Sequence, residues 1–338
     1  MGKVSSIVGL RFSEMVACIG LSSLVALSGC SNLQIKLGWR VSLAKLPVAS
    51  MEVSQYKHPG IGPGEKSSLV ATFTQPDGNI LVTEGKGKGK VLWKDLTVTA
   101  TVVSVKKGIM TLPRDPRISD GKTGHVVITV PSHPDLHAEL DVPLRYNYNY
   151  VSNYAGSSGS NGLNGTDGLD GSSGMPGSMD PDHPSAGGNG GNGTNGSDGG
   201  NGGDGEDGPS VQIQVALRSG SHPLLQIGVT TAGHDERFYL VDPQGGSLTV
   251  TSAGGSGGTG GKGGRGGRGG SGGIGIPNGS DGSNGSDGTD GRSGSDGRGG
   301  SISVTYDPQV KPHLSAIHIS NPGGPAPVFK EAAVAPLW

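Results

Sequence analysis

Four stretches of this chain place glycine at every third position, and each holds eight such glycines. Run one covers 156–177, run two 187–208, run three 254–275 and run four 279–300. Few backbones can use that spacing. A helix repeats every 3.6 residues and a strand every two, whereas the left-handed polyproline II helix repeats every three with a rise of ~3.1 Å per residue. Each run therefore predicts a rod of roughly 65 Å. Such a rod makes no internal hydrogen bonds, so its N–H and C=O groups need partners on neighbouring rods. A bare glycine column lets the backbones come close enough to supply them.

The phase breaks at 178–186 and at 276–278, which predicts two antiparallel hairpins. The terminal glycines of the four ladders are Gly156, Gly177, Gly187, Gly208, Gly254, Gly275, Gly279 and Gly300. Run three reads Gly-Gly-X throughout, leaving two faces bare, and run two adds Gly188, Gly191, Gly200 and Gly203. Runs two and three are accordingly expected inside, with one and four outside. Third-column residues such as Asn189, Asp198, Asp287 and Asp290 are expected to point to solvent, with Lys262, Arg265 and Arg268 near Asp287 and Asp290. Three other readings compete. A flexible Gly/Ser linker does not keep phase. A collagen triple helix shares the period but uses far more imino acid than Pro176 supplies, and a calcium-binding β-roll needs large apolar residues in each nonapeptide.

The rods cannot bury side chains of their own. Of 66 glycines, 44 lie in 156–208 and 254–300, and between Tyr154 and Tyr306 the only aromatics are Phe238 and Tyr239. Alternating segments at 211–217, 224–229, 238–241, 248–250, 302–306 and 316–319 predict a small β-sheet that gathers the rod ends. This interleaving of strands and glycine rods, over about 156–306, resembles the glycine-rich N-terminal domain of Obg GTPases, the polyglycine sandwich of phage tail-tip adhesins and the rod bundle of the snow-flea antifreeze protein. The resemblance is one of architecture, and no functional residue carries over from it.

Residues 34–150 have ordinary composition. Short β-branched or alternating runs at 68–74, 89–93, 96–103, 124–130 and 136–144 are separated by turn clusters at 75–78 and 131–134. About seven strands in this length predict an immunoglobulin-like β-sandwich with Trp93 and Phe73 in its core. The fold class is thus all-β plus polyproline/polyglycine-II, with a glycine-rich domain over 151–320 and a Pro-rich tail over 321–338.

At the N-terminus Lys3 and Arg11 precede an apolar stretch over 15–27, then Ser28, Gly29 and Cys30. This is the pattern of a secretory signal, too short to span a membrane. Leu27-Ser28-Gly29-Cys30 resembles the lipobox of bacterial lipoproteins, which implies removal of 1–29 and lipidation of Cys30 at the head of 30–33. Ser31, rather than Asp, implies by the same resemblance an outer-membrane address. Cys18 leaves with the signal, so Cys30 is the only cysteine of the mature chain and no intramolecular disulfide is possible. Net charge is -2, or -3 once Lys3, Arg11 and Glu14 are removed, which argues against nucleic acid as a partner.

No catalytic or metal site is expected, and no cofactor. Gly121-Lys122-Thr123 ends like a phosphate loop but lacks the leading glycine. His133 and His137 sit at a spacing of four in what reads as a proline-flanked turn, where the rings do not align. The expected function is structural or adhesive, in an anchored protein whose partners are the membrane and an envelope or cell-surface ligand, with the rod module monomeric. Contact surfaces would be the tips at 178–186 and 276–278 or the Asn/Asp ladders. A flat face with polar columns ~9 Å apart is a second possibility, suited to ice or polysaccharide.

Overall fold

A computed structural model describes residues 34–338 apart from 36, 219 and 221. The signal segment and Cys30 lie outside the described residues. The described chain is all-β, with helix confined to brief, mainly 3-10, segments. It divides into two compact units, Met1–Arg145 and Tyr146–Trp338.

The first unit holds β1 (Ser50–Gln55), β2 (Lys66–Thr74), β3 (Ile80–Val82), β4 (Thr97–Thr101), β5 (Ser104–Lys106), β6 (Ile109–Thr111), β7 (Gly124–Val130) and β8 (His133–Val142). One sheet runs β1-β2-β6-β5 with β3 also on β2, and a second runs β4-β7-β8. Period-two alternation sets their inner faces. In β2 it buries Leu69, Ala71 and Phe73, and in β7 Val126, Ile128 and Val130. Both sets meet Met110, Leu112 and Trp93 in one core, where each fully buried large side chain contributes about 1.5–3 kcal/mol. Gly108, at φ 73°, leaves room for the Trp93 ring, since a Cβ there would overlap it.

Two expectations for this unit need correction. Residues 89–93 do not form a strand: Val91 makes isolated bridges to Val41 and Thr83, and a 3-10 turn begins at Trp93. The segment crosses the core and has no continuous ladder beside it. The 96–103 run is also shorter, because Val102 turns into the left-handed region at φ 68° just after β4 ends.

The second unit begins at Tyr146, not at 151. It contains β9 (Asn149–Ala155), β10 (Val211–Arg218), β11 (Leu224–Thr231), β12 (Arg237–Val241), β13 (Ser247–Ala253), β14 (Ile302–Tyr306), β15 (Ile317–Ser320) and β16 (Val328–Glu331). In place of one small sheet there are two, β12-β11-β10-β14-β16 and β15-β13-β9. Tyr154, Ile213, Val215, Leu248, Val250 and Val304 from both sheets share a single core. The C-terminal residues are not a free tail either. β16 pairs in parallel with β14, and the Trp338 ring packs edge-on against Phe238 at 5.7 Å.

Each glycine run joins a core strand. β9 leads into run one, run two into β10, β13 into run three and run four into β14. The strands pair in parallel as β9 with β13 and β10 with β14, and parallel neighbours need long crossovers. The crossovers are compound: runs one and two carry the chain from β9 across to β10, and runs three and four from β13 across to β14, so each pair of runs links one sheet to the other.

Candidate functional site

The runs form few bonds within themselves and many between themselves. Run one donates to run three from its glycine column: Gly159 to Ser256, Gly165 to Lys262 and Gly171 to Arg268, at 2.7–2.8 Å. Run two donates to run one from its second column, with Gly191 bonded to the Ser172 carbonyl and Gly200 to Leu163. Its glycine column donates to run four, as from Gly190 to Ser280 and from Gly202 to Arg292. Run three donates to run two, Gly264 to Ser197 and Gly270 to Gly191, and run four donates to run three, Gly288 to Gly264. Runs two and three thus each touch three neighbours, and runs one and four touch two.

Register passes without a break from sheet to runs. Ala155 pairs with Ala253 and Asn161 with Thr259, a constant separation of 98 positions. On the other side Val211 pairs with Ile302 and Asn192 with Ser283, a constant 91. The apolar core fixes the strands, and the strands fix which triplet faces which.

The terminal glycines take part in the same network. Gly156 donates to Ala253, Gly177 to Ile274, Gly187 to Pro277, Gly208 to Arg298, Gly279 to Gly273 and Gly300 to Ser252. Gly275 donates to Asn278 Oδ1, and a Cβ on Gly254 would overlap the Gly297 carbonyl. None of the run glycines has a positive φ. Their requirement is space, not backbone conformation: a Cβ on Gly165, Gly264 or Gly285 would overlap a carbonyl of the adjacent run. The second-column glycines of run three, from Gly255 to Gly273, are buried, whereas run two is only partly covered and Gly200 is exposed.

The third columns correct the sequence reading. Their Asn and Asp side chains are exposed, yet their Oδ1 atoms do not simply face solvent. Asn161, Asn164, Asp167 and Asp170 of run one accept the N–H of Thr259, Lys262, Arg265 and Arg268 at 2.7–2.9 Å. Asn189, Asn195, Asp198 and Asp207 of run two accept from run four in the same way. Asp281, Asp287 and Asp290 accept from Gly272, Gly266 and Gly263. These side chains satisfy N–H groups that no facing carbonyl reaches. Only an oxygen acceptor two bonds beyond Cβ is needed, the Oδ1 that Asn and Asp share, which explains why the two interchange within a column.

Charge adds little to this. Lys262 Nζ meets Asp290 at 2.7 Å, while the Asp287 carboxylate is used by the Gly266 N–H. The Lys262 hydrogen bond and then the Gly263 N–H hold the Asp290 carboxyl below its ordinary value, and the same bond raises Lys262. Asp198 is lowered by the Thr289 N–H and then by the Thr289 hydroxyl. A carboxyl lowered on folding stabilises fully above its unfolded value of about 3.9, and that contribution is lost as pH falls through the folded value. We expect the thermal midpoint of the wild type to drop below about pH 4, and Asp198→Asn, which keeps the Oδ1 acceptor, to drop less steeply. Thermal unfolding at stepped pH checks this, and parallel curves would refute it.

At the far end of the runs the surface changes character. Met175, Met179, Ile274 and Ile276 are 50–82% exposed, around the two connecting loops. The 178–186 loop is pinned by Ser185 N–H to the Ser178 carbonyl and by Ser178 N–H to Ser185 Oγ. The Ile276–Pro277 peptide in the other loop is cis. Leu163 and Leu169 are exposed along run one as well. The sequence reading named the loops but not these side chains, whose signal was their isolation in a polar tract.

Catalytic geometry does not emerge from the other candidates. His133 and His137 lie on β8, not in a turn, and pair with Val130 and Thr129 of β7 across a register irregularity, with no shared partner between the two rings among the described residues. His133 Nε2 is bonded to the Leu46 carbonyl. Lys122 Nζ donates to the Ile118 carbonyl, and no helix follows it to cradle phosphate. Among the described residues no group of three His, Cys, Asp or Glu side chains could hold a metal, and no helix is long and apolar enough to cross a membrane. In comparisons with known proteins, no family model, curated protein or solved structure matches this chain.

Proposed function

We propose that this chain is a non-catalytic lipoprotein, tethered to the outer membrane through Cys30, whose glycine runs form a rigid polyglycine-II arm with an adhesive or structural role in the cell envelope. The observation that carries the reading is the cluster of exposed apolar side chains at the tip of an arm whose surface is otherwise polar apart from Leu163 and Leu169. Register set by the strands and maintained through the runs makes the arm stiff, and Met175, Met179, Ile274 and Ile276 are the side chains it offers for contact. The first unit, read as an immunoglobulin-like sandwich, serves as a spacer near the lipid. Because each run finds its partners within the chain, the arm is complete as a monomer, which favours this reading over a collagen-like trimer. The Asn/Asp ladders are less suited to ligand contact, since one oxygen of most rungs is already bonded. That also weakens the ice or polysaccharide alternative.

Fractionation and adhesion assays on one set of cells test the proposal. Cys30→Ser should move the protein from the membrane to the soluble fraction. Substituting serine at Met175, Met179, Ile274 and Ile276 together should leave it anchored while cell attachment falls severalfold. Retention of Cys30→Ser in the membrane refutes the anchor, and unchanged attachment of the tip variant refutes the adhesive role.

A further inference from the structure

The first unit contains a basic cleft that the arm does not need. It has a volume of about 250 Å³ and lies between the turn after β1, the start of β2 and the 3-10 turn Gly85–Gly87. Lys57, Lys66, Lys86 and Arg145 line it, with Glu65 as its carboxylate. Glu65 is already committed: both its oxygens accept from Arg145 Nη2, at 3.2 and 3.0 Å, and Oε2 also takes the Gly62 N–H at 2.8 Å. Among the described residues, no carboxylate forms a salt bridge with Lys57, Lys66 or Lys86. Three ammonium groups therefore share one cleft without a counter-charge. The Arg145 Nε–H is buried there and has no acceptor.

The arrangement is held in place at a cost. Lys57 has φ 77°, a left-handed conformation that a side-chain-bearing residue seldom adopts. Gln55 clamps the turn: its amide oxygen accepts the Gly60 N–H at 2.7 Å and its Nε2 donates to the Gly60 carbonyl at 2.9 Å and to Ser67 Oγ at 3.0 Å. Lys57 is the central residue of a strained three-residue turn in which the His58 N–H reaches the Tyr56 carbonyl at 3.2 Å. Backbone strain of this kind, maintained by its surroundings, is often associated with ligand sites.

We propose that this cleft binds a phosphate-bearing ligand, either a free phosphate or phosphorylated sugar or the headgroup of a phosphate-bearing lipid. Charge decides against a simple carboxylate, since three uncompensated ammonium groups match a phosphomonoester of charge about -1.5 to -2 with three acceptor oxygens better than a monoanion with two. Size decides against a large polymer buried end-on, because about 250 Å³ is below the usual range for drug-sized ligands and suits a single phosphorylated group. The proposal is independent of the anchoring and adhesion reading.

Titration of the full chain with inorganic phosphate, a hexose phosphate and acetate, followed by calorimetry or amide NMR shifts, tests it. We expect saturable binding of the phosphates, weakened by added salt, and acetate at least tenfold weaker. The triple variant Lys57→Gln, Lys66→Gln, Lys86→Gln should lose at least tenfold in affinity with an unchanged thermal midpoint. Flotation with phosphatidic acid vesicles against phosphatidylcholine vesicles identifies the source, and since any acyl anchor is common to both proteins, the difference between wild type and triple variant reports the cleft alone. Binding to soluble phosphates supports a free ligand, and loss confined to phosphatidic acid vesicles supports a headgroup. Equal binding of acetate, or a triple variant indistinguishable from wild type on all probes, overturns the proposal.

Discussion

Gly264→Ala lowers the stability of the second unit by about 3–5 kcal/mol, while Gly200→Ser leaves it within about 0.5 kcal/mol of wild type. Both positions lie in second glycine columns, and composition alone does not separate them. Gly264 is buried in run three, and a Cβ there would overlap the Thr166 carbonyl of run one. Backbone cannot step aside as a side chain can, so runs one and three must part. Parting strains the bonds from Gly264 to Ser197 and from Gly288 to Gly264 as well. Overpacking at about 1–3 kcal/mol and two weakened buried bonds at about 1 kcal/mol each give the figure, or about 10 °C in midpoint for a unit of this size. A Cβ on Gly200 would meet Leu163 N at 3.2 Å, a contact already managed three residues away. There Ser197 Oγ accepts the Thr166 N–H at 2.7 Å, and Thr194 Oγ1 does the same for Leu169. A serine at 200 can accept the Leu163 N–H in that manner. Urea and thermal unfolding of the two variants decide the matter, and equal losses would mean that the columns are not sterically distinct.

The difference between those glycines shows what the sequence reveals and where it stops. Period three and the doubled column of run three were readable because a missing side chain records directly what the neighbouring backbone excludes. The role of Asn164 or Asp198 was not readable, because exposure and engagement are separate properties and only the register with Lys262 or Thr289 reveals the bond. Strands at 124–130 and 211–217 announced themselves by alternation, whereas β16 has every residue exposed and is held by backbone pairing alone, so no hydrophobic period marked it. The cleft was equally silent. Lys57, Lys66 and Lys86 are far apart in the sequence, and only the pairing of β1 with β2 and the packing of the Gly85–Gly87 turn against β2 bring them together.

Removing residues 165–167, 196–198, 263–265 and 288–290 together is expected to preserve the fold, although twelve residues are lost, whereas removing Arg265 alone unfolds the unit. The four triplets form one bonded layer. Asp167 accepts from Arg265, Ser197 donates to Thr166, Gly264 to Ser197 and Gly288 to Gly264, while Asp290 accepts from Gly263 and Asp198 from Thr289. Cutting the layer out leaves every run one triplet shorter and every remaining partner in place. Loss of Arg265 alone shifts the phase, which carries Arg268, Ser271 and Ile274 into the buried column now held by Gly267, Gly270 and Gly273. A Cβ at those three sites would overlap the carbonyls of Leu169, Ser172 and Met175. Three such overlaps at about 3–5 kcal/mol each match or exceed the 5–15 kcal/mol of a typical domain. Circular dichroism and unfolding cooperativity of the two deletions provide the measurement. If the twelve-residue deletion unfolds and the single deletion does not, the runs are held by something other than the register inherited from β9, β10, β13 and β14.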